Sequence, residues 1–440
     1  MRLKMVDNVI KPNGWALLPI GVFLVLFLGS GIILNDFYTM PAVVGFLIAL
    51  VVGFCQNPKK KFADKLKTIA HGVGDENIIT MCLIFLAAGA FSGAVSAAGG
   101  VDSTVNLGLS LLPPGIAVIG LFVIGCFISI SMGTSMGTIA ALAPIAVGIS
   151  DKTGFAMAIC IGAVVSGAMF GDNLSMISDT TIAAVRTQGC NMNDKFKKNF
   201  FIVLPAAIIT IIILGFLTMG SKFKMTEALD YNIFQVVPYI LVLVAALIGI
   251  NVFLVLLSGT VLSVIVGLAT GSMAFSEIFT SIGSGPDGGG GVTGMYDITV
   301  ISILVACIGA LVKENGGFAF ILQIIGKRVH SYRGAELGLA ALISLTDAAT
   351  ANNTVAIVIA GPIAKEISDE YEIDPARSAS ILDIFASVFQ GIIPYGAQLL
   401  SAASLTGLTP FAIIPYLFYP YLMGISGLIS IMLPRKKKNK

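Results

Sequence analysis

Residues 131–138 read Ser131-Met132-Gly133-Thr134-Ser135-Met136-Gly137-Thr138. They place glycines and hydroxyls in the middle of a long apolar segment, residues 115–150, and this interruption determines how the segment folds. A second long segment, residues 335–368, is interrupted by Thr346-Asp347-Ala348-Ala349-Thr350-Ala351-Asn352-Asn353-Thr354. Each segment is too long for one crossing, and irregular backbone at membrane depth persists only where it is buried in protein or lines a wet cavity. We therefore predict that both segments are re-entrant hairpins.

The composition around these segments is that of a membrane protein. The chain has 440 residues, of which 56% are hydrophobic and 11% charged, and its mean hydropathy is +0.95. Soluble globular proteins carry about 25% charged residues, so a soluble protein of this length is excluded. The apolar runs are continuous, which excludes the alternating strands of a β-barrel. We predict an all-α polytopic membrane protein with about ten transmembrane helices beside the two hairpins. The predicted spans are residues 16–34, 38–54, 78–98, 155–185, 200–219, 233–250, 252–273, 295–312, 378–406 and 410–433.

Four basic clusters indicate the topology. They are Lys59–Lys61 with Lys65 and Lys67; Lys195, Lys197 and Lys198; Lys327, Arg328 and Arg333; and Arg435–Lys438 with Lys440. The positive-inside rule places all four in the cytoplasm, so an even number of crossings separates neighbouring clusters, which requires both hairpins to turn back. The chain then divides into a first repeat (1–220), an inverted second repeat (233–433) and a cytoplasmic basic tail (434–440). Both termini are predicted to be cytoplasmic.

Short local matches support the two repeats. Pro144-Ile145-Ala146 recurs as Pro362-Ile363-Ala364. Thr134 and Thr138 pair with Thr350 and Thr354, with two extra residues before the second proline. Inverted repeats with discontinuous helices at corresponding positions are typical of secondary transporters.

A polar run in the span after the first hairpin predicts a cation site. Gly171-Asp172-Asn173-Leu174-Ser175-Met176-Ile177-Ser178-Asp179-Thr180-Thr181 concentrates carboxylate, amide and hydroxyl groups, and Gly171 permits a break in the helix. A charge inside a membrane span usually faces a functional cavity, and oxygen ligands suit a hard cation such as Na⁺. The predicted cation-binding residues are Asp172, Asn173, Ser175, Ser178 and Asp179 with Thr134, Ser135 and Thr138 from the first hairpin, and Asp172 and Asn173 are the predicted Na⁺ ligands. Alternatively, Asp179 caps a helix near the membrane edge, and Thr134 and Ser135 are only capping residues.

The equivalent region of the second half is polar but mostly neutral, which predicts a second contact surface. Pro394 and two glycines unwind the helix there. The predicted substrate-binding residues are Asn352, Asn353, Thr354 and Asp347 of the second hairpin, with Asp383, Gln390, Tyr395 and Gln398. Capping alone would also explain the hairpin residues, and interhelical hydrogen bonding would explain the two glutamines.

Other classes of function are excluded by what the sequence lacks. The only histidines, His71 and His330, fall in predicted loops, which removes most metal-enzyme and Ser/His/Asp hypotheses. The glycine run at residues 285–291 has no following Lys-Ser/Thr and is not a P-loop. We predict no enzyme activity, no ATP drive, no nucleic-acid partner and no cofactor, with Na⁺ as the transported or coupling ion.

At residues 171–181 the sequence resembles the NhaC-type sodium/proton antiporter family, whose pattern is approximately Gly-Asp-x-x-Ser-Pro-x-Ser-Asp-Thr. Asp172, Ser175, Ser178, Asp179 and Thr180 match, whereas Met176 stands where the family often has proline. The resemblance implies an inverted-repeat ion-transporter fold, a homodimer, and cation-coupled transport by movement of the hairpin-containing unit.

Three functions remain open from the sequence. The first is Na⁺/H⁺ antiport in which Na⁺ and a proton compete for Asp172. The second keeps the fold but carries an amino acid or organic acid, coupled to Na⁺ or H⁺. The third is a channel or a membrane scaffold without transport.

Overall fold

The computed structural model describes residues 11–33, 40–111, 114–176, 178–218, 230–248, 250–286, 290–326 and 331–433. Its α-helices in chain order are Leu18–Ile33 (α1), Ala42–Cys55 (α2), Phe62–Val73 (α3), Glu76–Ala97 (α4), Gly100–Leu111 (α5), Pro114–Met132 (α6), Ser135–Thr153 (α7), Met157–Leu174 (α8), Asp179–Gln188 (α9), Met192–Thr218 (α10), Ile233–Leu247 (α11), Val252–Thr270 (α12), Ile278–Ser284 (α13), Tyr296–Glu314 (α14), Gly317–Gly326 (α15), Tyr332–Thr350 (α16), Asn353–Glu370 (α17), Pro375–Ile392 (α18), Ala397–Thr406 (α19), Pro410–Ile413 (α20) and Phe418–Met432 (α21). Short 3-10 helices occupy Gly14–Leu17, Phe275–Glu277, Thr293–Met295 and Ile414–Tyr416, and no strand occurs in the described ranges.

The predicted class, an all-α polytopic membrane protein, is confirmed. Seven apolar helical stretches of the described chain are long enough to cross a membrane. They are Ile78–Ala97, Gly115–Met132, Met157–Gln188, Met192–Thr218, Val252–Thr270, Thr293–Glu314 and Pro375–Thr406. A pair bent by 55°, Pro410–Tyr416 with Phe418–Met432, counts as an eighth if it forms one span. Three further predicted spans appear as shorter apolar helices, Gly14–Phe27, Ala42–Cys55 and Ile233–Ala245.

The basic clusters are only partly surface features. His71 lies in α3 and not in a loop, because polar and apolar residues of Phe62–Val73 follow a helical period. Lys65 of the first cluster is buried and donates to the carbonyls of Phe54 (2.7 Å) and Gln56 (2.6 Å), so it caps the carboxyl end of α2. The basic tail 434–440, Lys327 with Arg328, and His330 lie outside the described residues.

Each predicted hairpin consists of two helices joined by a turn of two residues. Gly133 has φ +69°, and the Thr134 side chain then caps α7 by accepting from the N–H of Gly137 (3.5 Å). Ala351 adopts the same left-handed conformation with φ +49°, and Asn352 caps α17 by accepting from the N–H of Val355 (3.0 Å). The two tips therefore share one backbone design, a left-handed residue followed by a capping residue.

This geometry corrects the predicted pairing of the two hairpins. Thr134 corresponds to Asn352 and not to Thr350, because both residues cap the second helix of their hairpin. Pro144 then follows Thr134, and Pro362 follows Asn352, at the same distance along the chain, so the two extra residues disappear. The same register, extended along the chain, places Gln390 opposite Asp172.

Two broken spans lie beside the hairpin tips. The first consists of α8 and α9, separated by residues 175–178, and the second of α18 and α19, separated by residues 393–396. Helix α9 packs on α17 of the other hairpin, and α19 packs on α7. Each break therefore lies between its own hairpin and the opposite one. Two inverted repeats produce such an arrangement, in which each broken span contacts the hairpin of the other half. The division into 1–220 and 233–433 stays a prediction.

Candidate functional site

A carboxylate lies at the first break, held by two hydroxyl groups. Asp172 is 5% exposed. Its Oδ2 accepts from Ser135 of the first hairpin tip (2.8 Å), and its Oδ1 accepts from Ser178 (2.5 Å). Ser178 precedes α9 but makes no side-chain cap there, because its hydroxyl is directed to Asp172. At the helix break, Ser178 therefore occupies a capping position but donates its hydroxyl to the carboxylate of Asp172.

Close packing of α6 on α8 brings this carboxylate to the hairpin. A Cβ on Gly171 would lie 2.4 Å from Cβ of Ser129 and 2.5 Å from the carbonyl oxygen of Cys126, and one on Gly167 would lie 2.3 Å from the carbonyl oxygen of Phe122. Small residues at this spacing permit close helix approach in membranes. Gly171 therefore sets a helix contact rather than the break itself, since α8 continues to Leu174.

A chain of hydrogen bonds connects Asp172 to the second hairpin. Gln398 donates to the Ser135 hydroxyl (3.0 Å), Gln390 donates to Oε1 of Gln398 (2.8 Å), and Gln390 also donates to the carbonyl of Ala351 (3.2 Å). All five residues are buried. The two glutamine amides thus join the hairpin tips, and the carboxylate of Asp172 is attached to this link at Ser135. The neutral glutamines predicted as substrate ligands act here as the interhelical link.

A buried ion pair, which the sequence interpretation missed, lies behind the break. Lys195 (1% exposed) and Asp383 (0%) are in direct contact. The ammonium also donates to the carbonyl of Asn173 (2.9 Å) and to the hydroxyl of Thr181 (2.8 Å). A cation beside the last carbonyls of α8 interacts favourably with the helix dipole. The ion pair therefore stabilises the carboxyl end of α8, where Asp172 lies.

This arrangement changes the roles predicted for several residues. Lys195 was assigned to a cytoplasmic cluster, but α10 begins at Met192 and carries its side chain into the interior. Asp383 is bound to Lys195 rather than directed to a substrate. The oxygens of Asn173 accept from Asn199 (2.9 Å each) and Lys195, on the side of the ion pair, so Asn173 does not join Asp172 in one ligand set.

The remaining predicted cation ligands do not contact the carboxylate of Asp172. The Ser175 hydroxyl donates to the carbonyl of Ile130 (2.6 Å), and that of Thr138 donates to the carbonyl of Thr134 (2.9 Å). Asp179 begins α9 and is exposed. The capping alternative thus describes Thr134, and the structure gathers only Asp172, Ser135 and Ser178 around one carboxylate.

The predicted substrate residues of the second hairpin surround its tip. Asn353 accepts from the N–H of Thr354 (3.0 Å), while its own Nδ2 has no partner. The hydroxyl of Tyr395 donates to the carbonyl of Ala348 (2.7 Å). Asp347 is completely buried, and neither of its carboxylate oxygens makes a hydrogen bond.

An open cavity of about 430 Å³ leads to this second tip. Thr350 and Asn352 of the tip line it together with His71, Lys313 and Glu314, and Glu314 lies beside the first basic cluster. Glu314 contacts Lys60 of that cluster. The cavity thus gives one tip a route to one face of the protein.

A carboxylate with two hydroxyl neighbours inside an apolar span has two ways to avoid an uncompensated charge. It binds a proton, or it binds a hard cation together with the neighbouring oxygens. Within the described residues, no group of three His, Cys, Asp or Glu side chains lies together as a metal-ion site. The chemistry available at Asp172 is therefore exchange between a proton and a single cation held by hydroxyl and carboxylate oxygens.

Comparison with known proteins gives the same class. The model of the Na⁺/H⁺ antiporter family matches residues 8–219 and 224–434. The chain is 23% identical to the malate-2H(+)/Na(+)-lactate antiporter of Bacillus subtilis, over 91% of this chain and 90% of that protein. It is 24% identical to the arginine/ornithine antiporter ArcD of Halobacterium salinarum (96% and 91%) and 24% identical to the Na(+)/H(+) antiporter NhaC of Alkalihalophilus pseudofirmus (95% and 96%). Because the family match covers nearly the whole chain, this protein belongs to the Na⁺/H⁺ antiporter family.

Proposed function

We propose that the protein exchanges Na⁺ for protons across a bacterial inner membrane, with Asp172 as the shared binding group. The observation that carries this proposal is the position of Asp172, a buried carboxylate held by Ser135 and Ser178 where a broken helix meets a hairpin tip. Discontinuous helices with such groups form the ion sites of secondary transporters. Competition between Na⁺ and H⁺ at one carboxylate couples their movement and requires no enzyme activity.

The test is proton movement in proteoliposomes, followed with a pH-sensitive dye after Na⁺ is added outside. We expect Asp172→Asn to abolish Na⁺-dependent proton movement, because the amide neither takes up and releases a proton nor carries a negative charge that binds Na⁺. Asp179→Asn is the matched control, since Asp179 is exposed and lies outside the site; it should keep the wild-type rate. Wild-type rates in the Asp172→Asn protein would refute the proposal.

A second candidate keeps the fold and moves a small organic ion. Two observations favour it: the neutral groups of Thr350 and Asn352 line the cavity, and two relatives are named as antiporters of malate and lactate or of arginine and ornithine. In this mechanism Na⁺ or H⁺ at Asp172 is the coupling ion. Uptake of labelled malate, lactate or arginine against the unlabelled compound would establish it, whereas an Na⁺/H⁺ exchanger shows no such uptake. Current without fixed coupling would instead indicate a channel.

We also propose the predicted topology and assembly, a homodimer with both termini in the cytoplasm. Cys55 is exposed and adjoins the first basic cluster. A membrane-impermeant maleimide should therefore label Cys55 in inside-out vesicles and not in intact cells. Light scattering of the purified protein tests the dimer, which a monomer mass would exclude.

A further inference from the structure

A second buried carboxylate stands apart from Asp172, at the other hairpin. Asp347 lies one helical turn before the left-handed residue Ala351, whose N–H donates to the Asp347 carbonyl (2.7 Å). Its side chain is 0% exposed. In the register that pairs the hairpin tips, the residue of the first hairpin opposite Asp347 is Ser129, so this acid has no counterpart in the first half.

The Asp347 carboxylate has no partner that would stabilise its ionised form. It approaches the backbone amide of Gln390, but neither oxygen reaches hydrogen-bond geometry. The Tyr395 hydroxyl, the titratable group that it faces, is already donated to the carbonyl of Ala348. No described residue therefore donates a hydrogen bond to this carboxylate.

Charged groups on the neighbouring helices do not compensate Asp347. The helices packed against α16 are α14, α15, α17, α18 and α21. Together with α16, their charged residues in the described chain are Asp297, Lys313, Glu314, Arg333, Glu336, Lys365, Glu366, Asp369, Glu370, Arg377 and Asp383. Arg377 pairs with Glu336 near the start of α16, and Asp383 pairs with Lys195. The charged residues of α17 lie in its last six positions, and Lys313 is exposed at the cavity.

An isolated ionised carboxylate in such a place is strongly unfavourable, and a neutral acid is not. Na⁺ would need several oxygen ligands around the carboxylate. A proton needs only the carboxylate. We propose that Asp347 is a second ion-binding group of the transporter, distinct from Asp172, and that it carries a proton in this conformation.

The cavity supplies the route by which this proton is exchanged. Thr350 lines the cavity and lies one turn from Asp347, to whose backbone carbonyl its hydroxyl donates (3.4 Å). A shift of the tip by one turn would bring Asp347 to the place that Thr350 occupies. The carboxyl would then meet water on the face that carries the first basic cluster and release its proton there.

This assignment gives Asp347 a different role from the predicted one, that of a substrate ligand. Only the effect on transport described next rests on the proposed Na⁺/H⁺ exchange. Na⁺ exchanged for the single proton of Asp172 moves no net charge. If Asp347 carries a further proton in the same cycle, exchange becomes sensitive to the membrane potential.

The first test does not depend on transport. A hydrophobic carbodiimide modifies carboxyls that are protonated in an apolar environment, and mass spectrometry locates the product. We expect modification at Asp347 in the wild type and no modification there in Asp347→Asn. Na⁺ should suppress modification of Asp172 and leave that of Asp347 unchanged. An unmodified Asp347 in the folded wild type would overturn the proposal, as would equal suppression by Na⁺ at both residues.

The second test uses proteoliposomes in which a K⁺ gradient with valinomycin sets the membrane potential. Asp347→Asn resembles the neutral acid in shape and charge, so we expect it to fold and to keep the protection of Asp172 by Na⁺ against the carbodiimide. The wild type should respond to the potential, and the variant should lose that response. An unchanged response would overturn the second site and leave the role of Asp172 intact. If the wild type shows no Na⁺-dependent proton movement, the proposed function fails, and the carbodiimide result still decides the state of Asp347.

Discussion

Removal of Lys195 gives the sharpest test of how the break is held. Lys195→Met keeps the length of the side chain and deletes its charge. The ammonium donates to Asp383, to the carbonyl of Asn173 and to Thr181, so three hydrogen bonds disappear together. The carboxylate of Asp383 then keeps only long contacts to Thr181 (3.3 Å) and Asn199 (3.5 Å), and its Oδ1 has no partner at all.

The size of the effect follows from this geometry. Removing one member of a buried ion pair costs about 3–5 kcal/mol, because the other charge stays buried without compensation. Both side chains here are almost completely inaccessible, so we expect a loss in this range. Lys195→Met combined with Asp383→Leu removes both charges and should recover most of the loss.

The chain contains its own reporters for the measurement. Cys126 and Cys160 are buried and react with a fluorogenic maleimide only when the protein unfolds. Unfolding in mixed micelles with increasing SDS then gives the free energy for each variant. Lys197→Met is the matched control, since Lys197 is exposed in the same helix. Equal stability of Lys195→Met and Lys197→Met would refute the buried pair, as would a double variant no more stable than Lys195→Met.

Three further predictions concern the packing and the links around the site. Gly171→Ala should destabilise the protein by about 1–3 kcal/mol through overpacking, whereas Gly120→Ala, whose Cβ meets nothing within 4 Å, should leave the unfolding curve unchanged. Gln398→Leu removes the hydrogen bonds to Ser135 and Gln390, each of which keeps one other partner, and should cost about 0.5–1.5 kcal/mol per bond in the same assay. Asp374 is half-buried, which raises the pKa of its carboxyl, but the hydrogen bond from Lys198 (2.6 Å) and the capped amides of α18 outweigh burial and lower that pKa. The carboxylate of Asp374 therefore contributes its full stabilisation above the pKa of the unfolded state, about 3.9, and loses it as the pH falls through the lower pKa of the folded state. The thermal midpoint of the wild type should thus fall more steeply with decreasing pH than that of Asp374→Asn. Equal slopes would contradict this.

Local pattern was sufficient to predict the fold class and the proximity of Asp172 to Ser178. Continuous apolar runs fix helices, and the proximity of Asp172 to Ser178 follows from a short polar run within one span. The contact with Ser135 required the further inference that a hairpin returns to that level. The agreement with the structure therefore rests on residues close in sequence and on the fold of the hairpin, whereas the number and direction of the crossings stay predictions.

The ion pair could not be predicted in the same way, because Lys195 and Asp383 are 188 residues apart. The positive-inside rule assigned Lys195 to the surface, since it treats neighbouring lysines alike. A helical pattern separates them: Lys195, Asn199 and Val203 follow at four-residue intervals and are all buried, whereas Lys197 is exposed. Spacing along the helix would thus have distinguished Lys195 from Lys197 and Lys198 of the same cluster.

The hydroxyl of Ser135 has a single hydrogen, and that fact gives the link between the tips a direction. While Asp172 is ionised, this hydrogen points to the carboxylate, and the Ser135 oxygen is left to accept from Gln398. A cation or proton that neutralises Asp172 would weaken this hydrogen bond and free the hydroxyl to rotate. Movement of one half against the other would also break the bond between Ser135 and Gln398, since each half supplies one partner. The state of the carboxylate and the link between the two tips thus depend on the same hydroxyl group.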